Sequence, residues 1–484
     1  MQTTANILDW EEVKNFALDD PLEEYGFSTR LAYENNWTLH YTQLAILEYK
    51  KFMYLAAVGN QMVSPSEIID KVWHLHLIFT QSYESLCHVL GKRIEHIPST
   101  HKKEERKTFD EARDVTKKLY AKYFDNTPPT EIWEANSFEE AIVFNPSKIK
   151  GKYVKKIGVL SFIMIVCFIF LFYQDNIKLI QNPDFLAYSW LFYFTSSILF
   201  FSLLPLWSFI MMKMYKKNNI LNDLHPFELI YFKRKKVTDI IFGVYNHLIK
   251  SKRLGIKSKK IEIRRRGFTK SMFENCILNE VNEHKKGDYS EQVKRLSSKN
   301  IFKQVENSCK QIEHSVLGSV FFQIVFFSTI IFCALLLGIC FTRLYLGIQN
   351  DKAVSALVVS LFFYCITFVS LINRTSKYFI KHQLRKTFRK DLIDKKRTTW
   401  EWDYFVRERY FFDLAFLSLL RYYSYNTSFS SRSSLAGSAS DFSGNSCGSS
   451  CGSSCGGGCG SGCGGGCGGC GSCLLYTSPS PRDA

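Results

Sequence analysis

Histidine and aspartate residues occur at helical spacing in one short stretch, DKVWHLHL, which begins at Asp70. In a helix, His74 and His76 point to nearly opposite sides because they are two residues apart. Asp70 and His74 share a face because they are four residues apart. Carboxylate and imidazole groups are common ligands of zinc and iron. Together with His96 and His101 from the following segment EHIPSTH, Asp70 and His74 would supply four metal ligands.

Other roles fit the same residues. In the simplest one, Asp70 only holds His74 between helices, while Trp73 and His76 pack in the core. A divalent metal such as zinc, bound by Asp70, His74, His96 and His101, is the alternative. Metal-free catalysis is a third hypothesis, but no nucleophile, base and acid arrangement stands nearby. The sequence therefore assigns no catalytic residue.

A second group of potential ligands lies in a Ser/Gly/Cys low-complexity tail, residues 426–472. Its thiols are Cys447, Cys451, Cys455, Cys459, Cys463, Cys467 and Cys470. Glycine this dense does not build a packed core, so we expect a disordered tail. The thiols could bind a soft metal or support self-association. Residues 473–484, which contain CLLYTSPSPRD, are interpreted as a translated sequencing adapter, so the natural sequence is expected to end near Ser472.

The elements that position the histidines are predicted to be helices of a domain covering residues 1–135. In SPSE, we expect Ser64 to cap a helix, Pro65 to occupy its first turn and Glu67 to complete a capping box. From Ile69 to Cys87, apolar residues recur at steps of three and four, which predicts one amphipathic helix. The residues before it have no signal-peptide pattern, so we expect no cleaved leader.

Four apolar stretches divide the rest of the chain: 157–173, 185–212, 316–342 and 353–372. Since about 20 helical residues cross the hydrocarbon core, we expect four transmembrane helices in two hairpins, 157–212 and 315–372. Lysine and arginine collect at 148–156, 213–217, 294–310 and 374–390, so the positive-inside rule places both termini in the cytoplasm. No charged residue or histidine lies near the middle of a span, which favours an anchor over a transporter.

The loop between the hairpins, residues 213–314, is strongly basic. It holds 24 Lys and Arg against 11 Asp and Glu, which gives +13 of the chain's formal +17. Its pattern predicts two helices and then the extended segment KKIEIRRRGF, the order of a small winged-helix-like unit. Arg264, Arg265 and Arg266 suit anionic lipid headgroups or nucleic acid. The membrane surface is the simpler hypothesis, so nucleic acid is not the expected partner.

The motifs of residues 40–135 resemble the glycine-rich domain-containing protein family of bacteria and plants. The matching features are Pro-Ser-x-x-x-Asp, Val-Trp-His-x-His-Leu, the downstream Thr-x-x-Tyr, His96-Ile97-Pro98 and Pro128-Pro129-x-x-Ile132-Trp133. This resemblance supplies no reaction. The whole chain also resembles bacterial membrane proteins with a Gly/Cys-rich C-terminal tail, with matches at Pro226, Glu228, Tyr231, Leu248, Leu254 and Gly255. That resemblance implies the bacterial inner (plasma) membrane.

The predicted fold class is therefore mainly α, with a helical cytoplasmic domain, four transmembrane helices, a basic winged-helix-like insertion and a disordered tail. Residues 136–156 form a basic linker, and residues 373–425 form cytoplasmic or interfacial helices. The expected function is a non-enzymatic scaffold or sensor anchored in the lipid bilayer, with a cytoplasmic protein partner or self-association through the tail. The alternatives are a metal-dependent enzyme or metal-binding domain centred on Asp70 and His74, and a membrane-tethered nucleic-acid-binding regulator.

Overall fold

The protein is mainly helical, as expected, and its one sheet has two strands among the described residues. The computed structural model describes residues 8–59, 61–97, 103–142, 147–178, 184–215, 219–257, 260–284, 288–378 and 399–430. The helices before the basic region are α1 (Trp10–Asn15), α2 (Phe27–Asn35), α3 (Leu39–Val58), α4 (Glu67–Ile78), α5 (Thr80–Val89), α6 (Lys103–Phe124), α7 (Thr130–Trp133), α8 (Phe138–Ile142), α9 (Gly151–Phe172), α10 (Gln174–Lys178) and α11 (Asp184–Tyr215).

The later elements begin after residue 218. They are α12 (Asn219–Asn222), α13 (Pro226–Arg234), α14 (Val237–Lys250), β1 (Leu254–Lys257), β2 (Lys260–Ile263), α15 (Met272–Glu283), α16 (Tyr289–Ser298), α17 (Asn300–Leu317), α18 (Val320–Gln349), α19 (Ser355–Tyr378), α20 (Trp400–Arg407), a 3-10 turn (Glu408–Phe411) and α21 (Leu414–Ser430). The tail from residue 431 onward, with its seven cysteines and the adapter-like end, lies outside the described residues.

The helix that carries Asp70 and His74 begins two residues later than the sequence suggested. Ser66 is the N-cap of α4, because its hydroxyl accepts a hydrogen bond from the backbone N–H of Ile69. The expectation that Ser64 caps this helix was wrong, since the backbone N–H of Ser64 instead donates to Thr116 on α6. The expected single helix to Cys87 is also two helices, α4 and α5, which meet at Phe79.

The N-terminal helices and the basic region share one hydrophobic core. At their junction, Glu228 of α13 is fully buried and accepts hydrogen bonds from the backbone N–H groups of Leu39, at the start of α3, and of His225. Asn275 donates to the carbonyl of Pro21 at 3.0 Å, close to α2. These contacts join segments about 190 to 250 residues apart in the chain, so residues 8–142 and 219–317 stabilise each other. The domain boundaries drawn from the sequence stay a prediction.

Three helices are long and apolar enough to cross a membrane: α9, residues Asp184–Leu203 of α11, and α18. The apolar part of α19, Ser355–Leu371, is shorter. Large apolar side chains point outward from these helices; Met164 is 64 % exposed and Ile198 is 68 % exposed. A soluble protein would bury such a surface, so the helices are better suited to lipid than to a water-facing core.

The strands form an antiparallel hairpin in which Leu254 pairs with Ile263. The helix before the hairpin, α14, is buried almost from end to end. The chain after residue 399 covers it: the hydroxyl of Tyr404 donates to the carbonyl of Asp239 at 2.8 Å, and the side-chain amide of Asn246 donates to the carbonyl of Phe411 at 3.1 Å. The C-terminal helices α20 and α21 therefore pack on the basic region.

Candidate metal centre and its cleft

The two histidines of the WHLHL motif have opposite environments. The side chain of His74 is 58 % exposed, whereas His76 is completely buried. This difference follows from helix geometry, because residues two apart on α4 face opposite sides. Only His74 can therefore contribute to a surface site, and His76 belongs to the core.

His76 is held by two side-chain hydrogen bonds, one at each ring nitrogen. Its Nδ1 lies 2.8 Å from the hydroxyl of Tyr49, and its Nε2 lies 3.0 Å from the hydroxyl of Ser82. The rings of Phe27 and Tyr83 pack against the imidazole edge to face. Burial, with a smaller contribution from the nearby Lys50 ammonium, lowers the pKa of His76 to about 4. His76 is therefore neutral at pH 7.

Asp70, His74 and His96 meet on the exposed face of α4. The Oδ1 atom of Asp70 lies 2.9 Å from Nε2 of His96, and Oδ2 of Asp70 lies 3.7 Å from Nδ1 of His74. The two imidazole centroids are 4.5 Å apart. One ligand atom from each of the three residues lies within 4.8 Å of the other two. Three of the four residues suggested by the sequence are thus brought together, and His101 lies outside the described residues.

The position of His96 depends on a chain of hydrogen bonds behind it. The indole N–H of Trp73 donates to the hydroxyl of Tyr83 at 3.2 Å, and that hydroxyl donates to the carbonyl of Ile94. Trp73 also packs against His96, with 4.5 Å between ring centroids. The loop after α5 is therefore fixed to α4 and α5 two residues before His96. Sequence reasoning missed this support, since nothing in the spacing links Tyr83 to Ile94.

The three side chains offer the nitrogen and oxygen ligands that a divalent metal such as zinc binds. Nitrogen and oxygen ligands about 2.1 Å from one tetrahedral ion lie roughly 3.4 Å apart. The 3.7 Å between Asp70 and His74 is close to that spacing, whereas the 2.9 Å between Asp70 and His96 would widen as the metal replaced their hydrogen bond. Two imidazoles and one carboxylate would leave a coordination position for a further ligand or water.

This cluster lies in a cleft of about 1380 Å³. The walls are α4, the loop around His96, the segment before α4 and the first half of α6, which contributes Asp110 and Arg113. Lys92 and Arg93 add positive charge, and Glu67 and Glu95 add negative charge. The volume exceeds the roughly 300–1,000 Å³ of usual small-molecule sites. The open coordination position would therefore face a space large enough for a small molecule or a peptide segment.

The other candidate residues from the sequence do not join this cluster. Arg264, Arg265 and Arg266 are exposed and directly follow β2. Because α14 has no free face, it cannot enter a DNA groove as the recognition helix of a winged-helix unit does. The covered α14 therefore argues against a winged-helix mode of DNA binding, and the partner of the three arginines stays a prediction.

Comparisons with protein-family models, with curated proteins and with solved structures found no match for this chain.

Proposed function

We propose that this chain is a membrane-anchored sensor or scaffold whose N-terminal cleft binds a divalent transition metal, such as zinc, at Asp70, His74 and His96. The observation that carries the proposal is the convergence of these three ligand groups from α4 and the next loop. The metal would hold a ligand in the cleft through its open coordination position. This combines the expected sensor role with the metal-binding alternative.

The membrane part of the proposal is a four-helix anchor. We propose α19 as the fourth span, because its apolar stretch packs beside α18 and large side chains such as Phe362 point outward. The basic residues at one end of the spans favour a cytoplasmic position for the cleft and the basic region in the inner membrane of a bacterium. Resistance of the full chain to alkaline carbonate extraction, and reporter fusions after Lys178, would test insertion and direction.

The metal part is tested by elemental analysis of the full chain, purified in mild detergent without added chelator. We expect one divalent metal per chain that is lost in His74→Ala. His88→Ala is the matched control, because His88 is an exposed histidine outside the cluster. Equal metal content in the wild type and both variants would contradict the assignment, and would place any metal elsewhere in the chain.

A further inference from the structure

Helix α11 contacts the neighbouring helices α18 and α19 at two positions along its length. Between these two positions it is separated from them. At one level, the hydroxyl of Tyr193 lies 2.6 Å from that of Thr367, and the rings of Phe192 and Phe332 stack 4.9 Å apart. At the other level, Trp207 stacks on Phe321. Between them lies a cavity of about 430 Å³ bounded by α11, α18 and α19. The volume falls within the range of small-molecule sites.

The cavity wall is apolar even where it contains hydroxyl groups. Ser196, Ser328, Thr329 and Thr367 each donate a hydrogen bond to a carbonyl of their own helix, three or four residues back. Their hydroxyl protons are therefore engaged within the helices. What remains facing the space is mainly hydrocarbon and aromatic surface, such as Leu336. A polar or charged ligand would lose its hydration there without compensation.

Trp207 provides one exception. This residue is only 7 % exposed and lines the cavity, and its indole Nε1 is buried with no hydrogen-bond partner among the residues that the structure describes. A buried donor without an acceptor is costly, and in hydrocarbon no water is at hand to supply one. The occupant that fits should therefore be an apolar chain with one acceptor oxygen near Trp207.

The position of Trp207 along the helices indicates which oxygen could be the acceptor. It packs beside the first residues of α18, at the end of the bundle next to the basic region. In the topology proposed above, that end lies at the cytoplasmic interface, where tryptophan is enriched and where the ester groups of lipids begin. From Trp207 to Tyr193, α11 rises roughly 21 Å, which exceeds the depth of one leaflet of a hydrocarbon core about 30 Å thick.

We propose that this cavity is a binding site for an acyl chain of a glycerophospholipid of the cytoplasmic leaflet, whose ester carbonyl accepts the hydrogen bond of Trp207 Nε1 once the indole ring turns towards the cavity. The chain then runs between α11 and the pair α18 and α19. This inference rests on the proposed membrane insertion. It adds a specific lipid site to what would otherwise be a passive anchor.

The first test uses the full chain reconstituted in vesicles of phosphatidylethanolamine and phosphatidylglycerol, with a trace of phosphatidylethanolamine that carries a photoreactive diazirine on one acyl chain. We expect cross-links concentrated on the parts of α11, α18 and α19 around Ser328. Ser328→Leu, which fills the cavity, should reduce them severalfold. Ser202→Leu, at an exposed position of α11 that does not line the cavity, should leave them unchanged.

The second test asks whether the indole N–H of Trp207 is the hydrogen-bond donor to the lipid. The chain is purified from vesicles that contain equal amounts of diester and diether phosphatidylethanolamine. The lipids that stay bound to it are then quantified by mass spectrometry. We expect about a fivefold preference for the ester lipid, the effect of one hydrogen bond. Trp207→Phe keeps the aromatic packing but removes the N–H, so the preference should disappear while the protein stays inserted.

The outcomes separate the two proposals. A chain that alkaline carbonate removes from the vesicles would contradict membrane insertion, and the lipid site with it. A chain that inserts normally but shows cross-links spread evenly over its spans, or no preference for the ester lipid, would overturn the lipid site alone. Cross-links at the cavity with no effect of Trp207→Phe would overturn the assignment of the carbonyl.

Discussion

Replacing His76 with glutamine should make the stability of the protein less sensitive to acid. In the folded chain the pKa of His76 is lowered from 6.5 to about 4, because the imidazole is buried among aromatic rings. The unfolded chain takes up a proton near pH 6.5, while the folded chain resists it until about pH 4. The stabilising contribution is therefore complete above pH 6.5 and is lost as the pH falls towards 4.

The size of this effect follows from the difference between the two pKa values. Each unit corresponds to about 1.4 kcal/mol, so the full loss is about 3 kcal/mol, and about 2 kcal/mol is already lost at pH 5. Glutamine has no charge to gain, so the variant lacks this loss. At pH 7 it should be less stable than the wild type by about 1–3 kcal/mol, since it cannot satisfy both Tyr49 and Ser82.

The assay is urea unfolding of the full chain in mild detergent, followed by tryptophan fluorescence between pH 5 and pH 7.5. We expect the difference in free energy of unfolding between the wild type and His76→Gln to shrink by about 2 kcal/mol at the acid end. His74→Gln, two residues away on the exposed face, is the matched control and should change little at either pH. A difference that stays constant with pH, or an equal effect of His74→Gln, would refute the assignment of His76 to the core.

Three further substitutions test the buried carboxylate and the packing of the helices. Burial raises the pKa of Glu228 to about 7, so its stabilising contribution is complete below pH 4.5 and is lost as the pH rises through 7. In urea titrations the wild type should lose about 2 kcal/mol relative to Glu228→Gln between pH 5 and 7.5, and a constant difference would contradict this. The methyl group of Gly151→Ala would collide with the backbone carbonyl of His314, which we expect to cost about 1–3 kcal/mol in thermal unfolding. The methyl group of Gly158→Ala meets side chains, chiefly the ring of Phe326, and no backbone, so this substitution should cost less. The reverse order would argue against this packing.

Local spacing was sufficient to anticipate part of the candidate site. The four-residue step from Asp70 to His74 places both on one helix face, and the two-residue step to His76 places that residue on the other. For His96, the sequence indicated only that it follows the helix in the next loop, where it could reach Asp70. Its approach to Asp70 depends on Tyr83 and Ile94, whose contact follows from tertiary packing.

Contacts between residues far apart in the chain determine the N-cap of α4 and the partners of Glu228, and local sequence patterns could not predict them. Ser64 and Ser66 are equally good caps by type, but Thr116 on α6 engages the backbone of Ser64 and leaves Ser66 to cap α4. Glu228 fits a capping box on its own helix, yet the same carboxylate also holds the start of α3 at Leu39. These partners are 52 and 189 residues away in sequence, and helical periodicity carries no information over such separations.

The central claim is that Asp70, His74 and His96 bind a metal, and its most direct test is X-ray absorption at the zinc edge. The full chain, loaded with one equivalent of zinc, should show two imidazole ligands and nitrogen or oxygen neighbours at about 2.0–2.1 Å. His74→Gln should remove one imidazole, and His88→Gln should leave the spectrum unchanged. Sulfur neighbours at about 2.3 Å would contradict the claim, because they would assign the metal to cysteine thiolates instead of the α4 cluster.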